Sequence, residues 1–408
     1  MNYELRIDKE NIMSLNNTPS SERLHIGFFG MRNAGKSSLV NAVTAQSLSL
    51  VSDIKGTTTD PVKKAMELLP LGPVVIIDTP GLDDEGALGE MRVRRAKDIL
   101  GSVHIAVIVV DALKGLSEED KSLAAELESR KIPYIIAMNK ADLLGSVPES
   151  KDGIIYVSAE KNIGINQLKD KLSSLAKADK KDKKILADLV SKGDTVMLVT
   201  PIDESAPKGR LILPQQQIIR ELLEIGAVTL TVQVEEIPQA LSLLKTPPKL
   251  VITDSQAFGK VSKLIGEDIK LTSFSILFAR YKGDLDTVVE GADKLSSLQD
   301  GDRILISEGC THHRQCKDIG TVKLPGWIKT FSGRELTFDF TSGGDFPEDL
   351  SAYALVVHCG GCTLNEKEMQ NRLERCRQQS VAVTNYGTAI AEIHGILRRS
   401  LEVFDNHL

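Results

Sequence analysis

A glycine-rich stretch between an apolar run and a helical pattern limits most strongly what this chain can fold into. Residues 30–37 read Gly-Met-Arg-Asn-Ala-Gly-Lys-Ser, with apolar Ile26–Phe29 before them and Ser38–Thr44 after them. This is the strand–loop–helix context of a phosphate-binding loop, whose backbone N–H groups surround phosphates at the start of a helix. The sequence therefore predicts an α/β domain with a parallel sheet and a nucleotide triphosphate site.

Three further motifs follow in the order that a guanine nucleotide site requires. They are Asp78-Thr-Pro-Gly81, Asn139-Lys140-Ala-Asp142 and Ser158-Ala159. The Asp142 carboxylate can accept two hydrogen bonds from guanine, and adenine lacks both donors. We expect the stem of Lys140 to cover the base and the Ala159 N–H to meet the guanine oxygen. The four motifs together predict GTP binding.

The phosphate loop is expected to bind and activate the triphosphate. Lys36 should reach the β- and γ-phosphates, and the start of the following helix adds a favourable dipole. The nucleotide-binding residues predicted in and just after this loop are Asn33, Ala34, Gly35, Lys36, Ser37 and Ser38.

A magnesium site is predicted between the phosphate loop and two later loops. The Ser37 hydroxyl is expected to bind Mg²⁺. Thr58, the central threonine of Gly56–Asp60, is expected to supply a second hydroxyl, with either neighbouring threonine as the alternative. Asp78 would hold the ion through water. The Gly81 N–H would contact the γ-phosphate, so this loop should differ between the GTP and GDP states.

Hydrolysis is expected to be slow without assistance. Leu82 follows Gly81 at the position where Ras-type enzymes carry a water-orienting glutamine. With Asn33 inside its phosphate loop, this block resembles the TrmE/Era-like GTPases. The resemblance implies that Asn33 coordinates a K⁺ ion that replaces an arginine finger. The alternative is that Asn33 only braces the loop.

Composition and periodicity divide the 408 residues into five segments. We predict a flexible N-terminal arm at 1–23, a GTP-binding domain at 24–176, a charged linker at 177–184 and α/β blocks at 185–266 and 267–408. Short apolar runs alternate with helical patterns in each folded block, which is typical of parallel sheets covered by helices. Two aspartates interrupt the lysines of the linker, a pattern that favours a solvated segment over a nucleic-acid patch.

The composition argues against several classes of function. No apolar run approaches the length of a membrane span, and the leader lacks the apolar stretch of a signal peptide. Five cysteines in a long chain are no disulfide framework, so a cytoplasmic location is expected. A net charge of −6 and 4% aromatic residues count against a nucleic-acid-binding surface. We therefore expect neither nucleic acid nor a membrane as a partner.

The last block carries cysteines and histidines in a pattern typical of a metal site. Cys310-Thr-His312 follows the apolar run Arg303–Ser307, and His358-Cys359-Gly-Gly-Cys362 follows Ala354–Val357. Both sets fall at the carboxyl ends of predicted strands, where open α/β sheets bind their ligands. Three thiolates with a histidine suit structural zinc, and three thiolates also suit an iron–sulfur cubane with one iron left for another ligand. The residues alone leave both metals open.

The chain as a whole resembles the HydF family of FeFe-hydrogenase maturation GTPases. The resemblance rests on the GTPase motifs, the middle block without a catalytic pattern and the paired cysteine motifs. The resemblance covers nearly the whole chain. It implies a homodimer formed through the middle block and a 4Fe-4S cluster on Cys310, Cys359 and Cys362. It places His312 and His358 beside an exchangeable iron. It also implies a scaffold that receives a transient di-iron precursor from radical-SAM hydrogenase maturases and delivers it to apo FeFe-hydrogenase.

Two other classes of function stay open from the sequence. A ribosome- or tRNA-associated GTPase with a structural zinc module would need a basic, aromatic-bearing RNA surface, which the composition disfavours. A redox enzyme that uses the cluster for electron transfer is disfavoured because the pattern supplies no clear fourth cysteine ligand. Iron, sulfide and zinc analysis after anaerobic purification would separate these classes.

Overall fold

A computed structural model describes residues 18–45, 62–81, 98–151, 153–179, 183–202, 211–309 and 319–404. The chain divides into two compact units, Met1–Lys180 and Lys181–Leu408. Both are built from mainly parallel sheets and helices, which confirms the predicted α/β fold class. Within the described ranges, no helix has the length and apolar character needed to cross a membrane.

The first unit contains one six-stranded sheet. Its strands are β1 (Leu24–Phe29), β2 (Val62–Leu68), β3 (Gly72–Asp78), β4 (Ile105–Asp111), β5 (Tyr134–Asn139) and β6 (Ile154–Tyr156). They lie in the order β2-β3-β1-β4-β5-β6, and only the β2–β3 pair is antiparallel. The strands β1, β3 and β4 are buried, because apolar cores cover both faces of the sheet. Burial on both faces explains their continuous apolar sequences.

The helices described in the first unit are Lys36–Thr44, Glu118–Ser129 and Ile165–Asp179. The second of them begins at a capping box. The Ser117 hydroxyl accepts the Asp120 N–H at 3.1 Å, and the Asp120 carboxylate accepts the Ser117 N–H at 3.1 Å. Two backbone donors at the helix start are thereby satisfied, which fixes where this helix begins.

The second unit contains two parallel four-stranded sheets. The first is formed by β7 (Thr195–Val199), β8 (Val228–Val232), β9 (Leu250–Thr253) and β10 (Lys270–Ser273), in the order β10-β9-β7-β8. The second is formed by β11 (Arg303–Glu308), β12 (Thr337–Ser342), β13 (Leu355–His358) and β14 (Ala382–Asn385), in the order β12-β11-β13-β14. Strand β10 belongs to the first of these sheets although it lies beyond residue 266.

Helices pack on both sheets of the second unit and join them. They are Leu213–Ile225, Ile237–Leu243, Phe258–Leu264, Phe274–Lys282, Leu285–Asp293, Leu324–Ser332, Glu366–Gln378, Tyr386–Ile393 and Leu397–Leu401. One apolar core contains Leu198 and Ile252 of the first sheet together with Val356 and Val383 of the second. The two sheets therefore share a continuous core within this unit.

His25 of β1 is expected to make the stability of the first unit depend on pH. Its Nε2 lies 2.9 Å from the Ser20 carbonyl oxygen, and its backbone N–H donates to Nδ1 of His104 at 3.0 Å. Burial lowers the pKa of His25 from 6.5 to about 4. The unfolded chain therefore takes up this proton at a higher pH than the folded chain does. We therefore expect this contribution to stability to be fully present above about pH 6.5 and to be lost as the pH falls to 4, at a cost of about 3 kcal/mol.

Hydrogen exchange of the strand amides in the first unit, measured between pH 7 and pH 4, tests this expectation after correction for intrinsic exchange rates. Protection should fall with pH in the wild-type protein, and His25→Asn should flatten that fall. His394→Asn in the second unit serves as the control and should leave the first unit unchanged. Protection that did not depend on pH in the wild-type protein would contradict the assignment to His25.

Candidate functional site

The phosphate loop connects β1 to the helix Lys36–Thr44, as the motif predicts. Its Gly30, Asn33 and Gly35 have positive φ angles of 143°, 62° and 88°. Glycine adopts this region at little cost, and asparagine tolerates it better than other side chains. A Cβ atom at Gly35 would also collide with the amide of Asn139. The loop therefore has the curled backbone that a phosphate site requires.

Lys36 is held by the loop that contains it. Its side chain is buried, and Nζ donates to the carbonyl oxygens of Gly30 at 3.0 Å and Met31 at 2.8 Å. A triphosphate offers charged oxygens, which form stronger hydrogen bonds with an ammonium than neutral carbonyls do. Lys36 is thus available to a phosphate at this loop.

The described magnesium residues fit a divalent cation. The Ser37 hydroxyl donates to Oδ2 of Asp78 at 2.6 Å, which brings the two predicted magnesium residues together. The other oxygen of Asp78, Oδ1, is buried and accepts no hydrogen bond from the described residues. Burial raises the pKa of Asp78, and a nearby cation would offset that effect. Thr58 lies outside the described residues.

Asn139 connects the guanine-reading motif to both neighbouring motifs. Its Nδ2 donates to the carbonyl oxygen of Ala34 at 3.0 Å, and its Oδ1 accepts the N–H of Ala159 at 3.2 Å. The buried Ser158 accepts the N–H of Lys161 on its hydroxyl at 3.0 Å. Asn139 is thus a structural link as well as a predicted nucleotide residue, because it holds the phosphate loop beside the Ser-Ala loop.

Lys140 and Asp142 lie directly after β5. Lys140 has a φ of 64°, and its Nζ contacts Oδ2 of Asp111 at 2.7 Å. Asp111 belongs to none of the four sequence motifs, although it directly follows the apolar run Ile105–Val110. Asp142 lies in the short turn Ala141–Leu143 and is half-buried, so its carboxylate remains accessible to a base.

Asp142→Asn is expected to weaken GTP binding by about 100-fold. The substitution removes two charge-assisted hydrogen bonds to guanine, worth about 3 kcal/mol together. Titration with a fluorescent GTP analogue measures the loss, and xanthosine triphosphate should recover part of the affinity. Asp170→Asn, on the helix Ile165–Asp179 of the same unit, is the charge-matched control. GTP affinity unchanged by Asp142→Asn would show that another residue reads the base.

The carboxyl ends of β11 and β13 bring the described parts of the cysteine motifs together. These strands are parallel neighbours, with Ser307 opposite His358. The Gly309 N–H donates to Sγ of Cys359 at 3.0 Å, and the Thr363 hydroxyl donates to the Gly309 carbonyl oxygen at 2.8 Å. Gly309 directly precedes Cys310 in the sequence. Cys310 and His312 themselves lie outside the described residues.

Two of the predicted cluster thiols, those of Cys359 and Cys362, lie within the described residues. Sγ of Cys359 also accepts the Gly361 N–H at 3.4 Å, and hydrogen bonds to sulfur are among the features that tune such clusters. Burial raises the pKa of the Cys362 thiol, so metal binding there would displace a proton. Among the residues that the structure describes, no group of three or more His, Cys, Asp or Glu side chains is arranged to hold a metal.

Both ring nitrogens of His358 have hydrogen-bond partners other than the thiols. Its Nδ1 lies 2.8 Å from the Cys359 carbonyl oxygen, and its Nε2 lies 2.9 Å from a guanidinium nitrogen of Arg372. Burial, together with the charge of Arg372, lowers the pKa of His358 to about 3. The imidazole is therefore neutral, with Nδ1 as donor and Nε2 as acceptor. Its place beside an exchangeable iron stays a prediction.

The first unit is a P-loop GTPase domain, as its sheet order, its curled phosphate loop and its guanine-reading loops define it. A family model described as "50S ribosome-binding GTPase" matches residues 25–140. The hydrogen maturase F dimerization domain model matches residues 185–283, and the hydrogen maturase F tetramerization domain model matches residues 286–403. The two hydrogen maturase F models together cover more than half of the chain. The chain therefore belongs to the hydrogen maturase F family.

Other known proteins resemble parts of the chain. The tRNA modification GTPase MnmE of Clostridioides difficile is 32% identical over 180 residues, which cover 41% of this chain and 39% of that protein. The GTPase Der of Kosmotoga olearia is 32% identical over 174 residues, which cover 38% and 39%. A crystal structure of Aquifex aeolicus Era has 18% identity and a TM-score of 0.34, and covers 54% of this chain and 98% of that one. The chain thus spans about two fifths of the length of these two curated relatives.

Proposed function

We propose that this chain is a GTP-hydrolysing scaffold or carrier for FeFe-hydrogenase maturation in the cytoplasm. It holds a 4Fe-4S cluster on Cys310, Cys359 and Cys362, receives a di-iron precursor from radical-SAM maturases and delivers it to apo-hydrogenase. The supporting observation is the Cys359 sulfur, which accepts two backbone N–H groups where β11 and β13 end, in a chain of the hydrogen maturase F family.

In this proposal Cys359 and Cys362 supply thiolates at this edge, and Cys310 supplies the third. When bound, the cluster supplies an iron without a cysteine ligand, which can accept an exchangeable group. The Thr363 hydroxyl clamps the two loops together through the Gly309 carbonyl. Gly360 and Gly361 carry no side chains, so the backbone of the second loop can approach a bound group closely.

The nucleotide residues support binding and slow hydrolysis of GTP with Mg²⁺. Lys36 provides charge to the phosphates, and Ser37 with Asp78 holds the magnesium ion. The Gly81 N–H responds to the γ-phosphate, and Thr58 completes the magnesium site. Leu82 cannot orient a water molecule, so we expect the intrinsic rate to be low.

Potassium should accelerate hydrolysis several-fold relative to sodium at the same ionic strength. Asn33 is exposed in the phosphate loop and can offer its amide oxygen to a cation. Asn33→Gly keeps the positive φ of 62° accessible and removes the oxygen, so this variant should hydrolyse GTP equally slowly in both salts. Steady-state phosphate release measures the rates. Equal rates for the wild-type protein in the two salts would remove the potassium role.

The partner proposal is a homodimer formed through the sheet β7–β10. The match to a dimerization domain supports self-association through this part of the chain. Strand β8 lies at the edge of this sheet. Its Val228 is 55% exposed, and Leu223 of the adjacent helix is 64% exposed. Exposed apolar side chains beside a free sheet edge are typical of a surface that is covered in an assembly.

Metal analysis tests the proposal against the zinc alternative. Protein purified and reconstituted without oxygen should contain about four iron and four sulfide per chain. On this proposal, exposure to zinc without iron should not yield a stable stoichiometric site. Stoichiometric zinc with no uptake of iron would favour the ribosome- or tRNA-associated alternative.

A further inference from the structure

Asp111 joins two loops at the guanine-reading end of the sheet in the first unit. It is the last residue of β4 and lies opposite Asn139, the last residue of β5. The N–H of the following residue, Ala112, donates to the Asn139 carbonyl oxygen at 2.8 Å. The two strand ends therefore stay in register up to the point where the guanine-reading motif begins.

Both carboxylate oxygens of Asp111 accept hydrogen bonds. Oδ1 accepts the Leu113 N–H at 3.0 Å, and Oδ2 accepts Nζ of Lys140 at 2.7 Å. Partial burial would raise the pKa of Asp111, but these hydrogen bonds and the charges of Lys140 and Lys114 lower it. The carboxylate is therefore ionised at neutral pH and bonds the loop after β4 to the lysine of the guanine-reading motif.

Lys140 is held at both ends of its side chain. Its backbone has a φ of 64°, a left-handed conformation that sets the direction in which the side chain leaves the chain. At the other end, Nζ contacts Asp111, whose side chain is only 11% exposed. A mobile lysine side chain loses much rotational freedom when it is ordered against a ligand. An anchored side chain has already lost that freedom, so binding costs less.

A contribution to folding does not by itself account for this ion pair. The Lys140 side chain is 34% exposed, and ion pairs that face solvent contribute little to stability. The place of the pair points to a role in binding. Asp142, whose carboxylate is expected to read guanine, follows Lys140 two residues later. The ion pair therefore fixes a long side chain directly beside the predicted base site.

We propose that Asp111 is a positioning residue of the guanine site, which anchors Lys140 so that its stem is in place to cover the base of GTP or GDP. The inference rests on the proposed function of this unit as a GTPase. The anchor acts on the base, which GTP and GDP share, and not on the γ-phosphate. Loss of the anchor should therefore raise KM and leave kcat nearly unchanged.

The test uses the full chain with Mg²⁺. Asp111→Asn keeps the shape of the side chain and an oxygen for the Leu113 N–H, but removes the negative charge that holds Lys140. Lys140→Met keeps a stem of similar length and removes the ammonium. Glu126→Gln is the matched control, because Glu126 pairs with Arg130 at 2.7 Å and is 25% exposed in the same unit. Titrations with fluorescent GTP and GDP analogues give the affinities, and phosphate release gives kcat and KM.

We expect Asp111→Asn to weaken binding of both GTP and GDP by about 5- to 10-fold, with kcat within about twofold of wild type. The double variant with Lys140→Met should bind no more weakly than the Lys140 variant alone, since the carboxylate then has no ammonium to hold. The Glu126 control should match wild type.

Three results would overturn the inference while leaving GTP binding intact. They are wild-type affinities in the Asp111 variant, a loss for GTP without one for GDP, and losses that add in the double variant. A wild-type chain that bound neither nucleotide would instead defeat the proposed function itself.

Lys140→Met decides the case in which circular dichroism shows that Asp111→Asn does not fold. It breaks the same ion pair from the other side and leaves the carboxylate with its hydrogen bond from Leu113. Weaker binding of both nucleotides with kcat retained would support the anchor. Wild-type affinity for both nucleotides would overturn it.

Discussion

Serine in place of Cys359 is expected to abolish iron–sulfur cluster binding and hydrogenase activation while GTP hydrolysis stays within about twofold of wild type. A serine hydroxyl is a poor ligand for the iron that thiolates bind, and Gly309 and Gly361 would then direct their N–H groups at an oxygen. Hydrolysis should persist because the GTPase domain belongs to a separate compact unit. Iron and sulfide analysis and phosphate release measure the two effects.

Cys376→Ser is the matched control for this substitution. Cys376 is buried in the helix Glu366–Gln378, and burial raises the pKa of its thiol to about 12. A thiol of this kind is no metal ligand, so the control should keep its cluster even where it loses some stability. A Cys359→Ser protein with full iron and sulfide contents would show that Cys359 is not a ligand.

Lys36→Ala is expected to lower the rate of GTP hydrolysis by about 100-fold or more. The ammonium is the charge that the phosphate loop provides to the β- and γ-phosphates, and loss of one such contact costs roughly 10²–10³ in rate. Single-turnover hydrolysis separates this effect from weaker binding. Cluster content should stay at the wild-type level, since the cysteines belong to the other unit.

Lys121→Ala provides the comparison for Lys36→Ala. Lys121 lies in the same unit on the exposed face of the helix Glu118–Ser129 and pairs only weakly with Glu118, at 2.7 Å. Its removal should leave the rate unchanged. Wild-type hydrolysis by the Lys36 variant would show that the loop is not the triphosphate site.

Buried parallel strands could be predicted because each reads as an apolar run. The sequence predicts strands at the apolar runs Ile105–Val110, Tyr134–Ala137 and Leu250–Thr253. The first two lie within β4 and β5, and the third is β9 itself. Strand β2 escaped prediction because its sequence, VKKAMEL, is mostly exposed at the edge of the sheet. A charged edge strand carries no periodic burial pattern from which it could be recognised.

The sequence pattern predicts one helix near Thr388–Arg398, and this prediction is wrong in its continuity. The structure has two helices there, Tyr386–Ile393 and Leu397–Leu401. Gly395 lies between them with a φ of 67°, a left-handed conformation that ends a helix. The apolar pattern continues across this break because both helices pack into the same core, so periodicity alone could not reveal it.

The candidate sites were predictable where chemistry is local in sequence. The phosphate loop follows from spacing alone, since Gly30, Asn33 and Gly35 set its backbone. The contact of Lys282 with the Cys362 carbonyl joins residues 80 positions apart, and no motif marks a single lysine at the end of an apolar helix. Such contacts depend on how the two sheets of the second unit pack, so they can be identified only from the structure.

Direct transfer to apo-hydrogenase tests the central proposal. The full chain, produced together with radical-SAM maturases and purified without oxygen, is mixed with apo FeFe-hydrogenase, and hydrogen evolution is measured. The account predicts activity that rises with the amount of added protein until the hydrogenase is saturated, and none with the Cys359→Ser protein prepared in the same way. A hydrogenase that stays inactive with the iron-loaded wild-type chain would contradict the role as carrier.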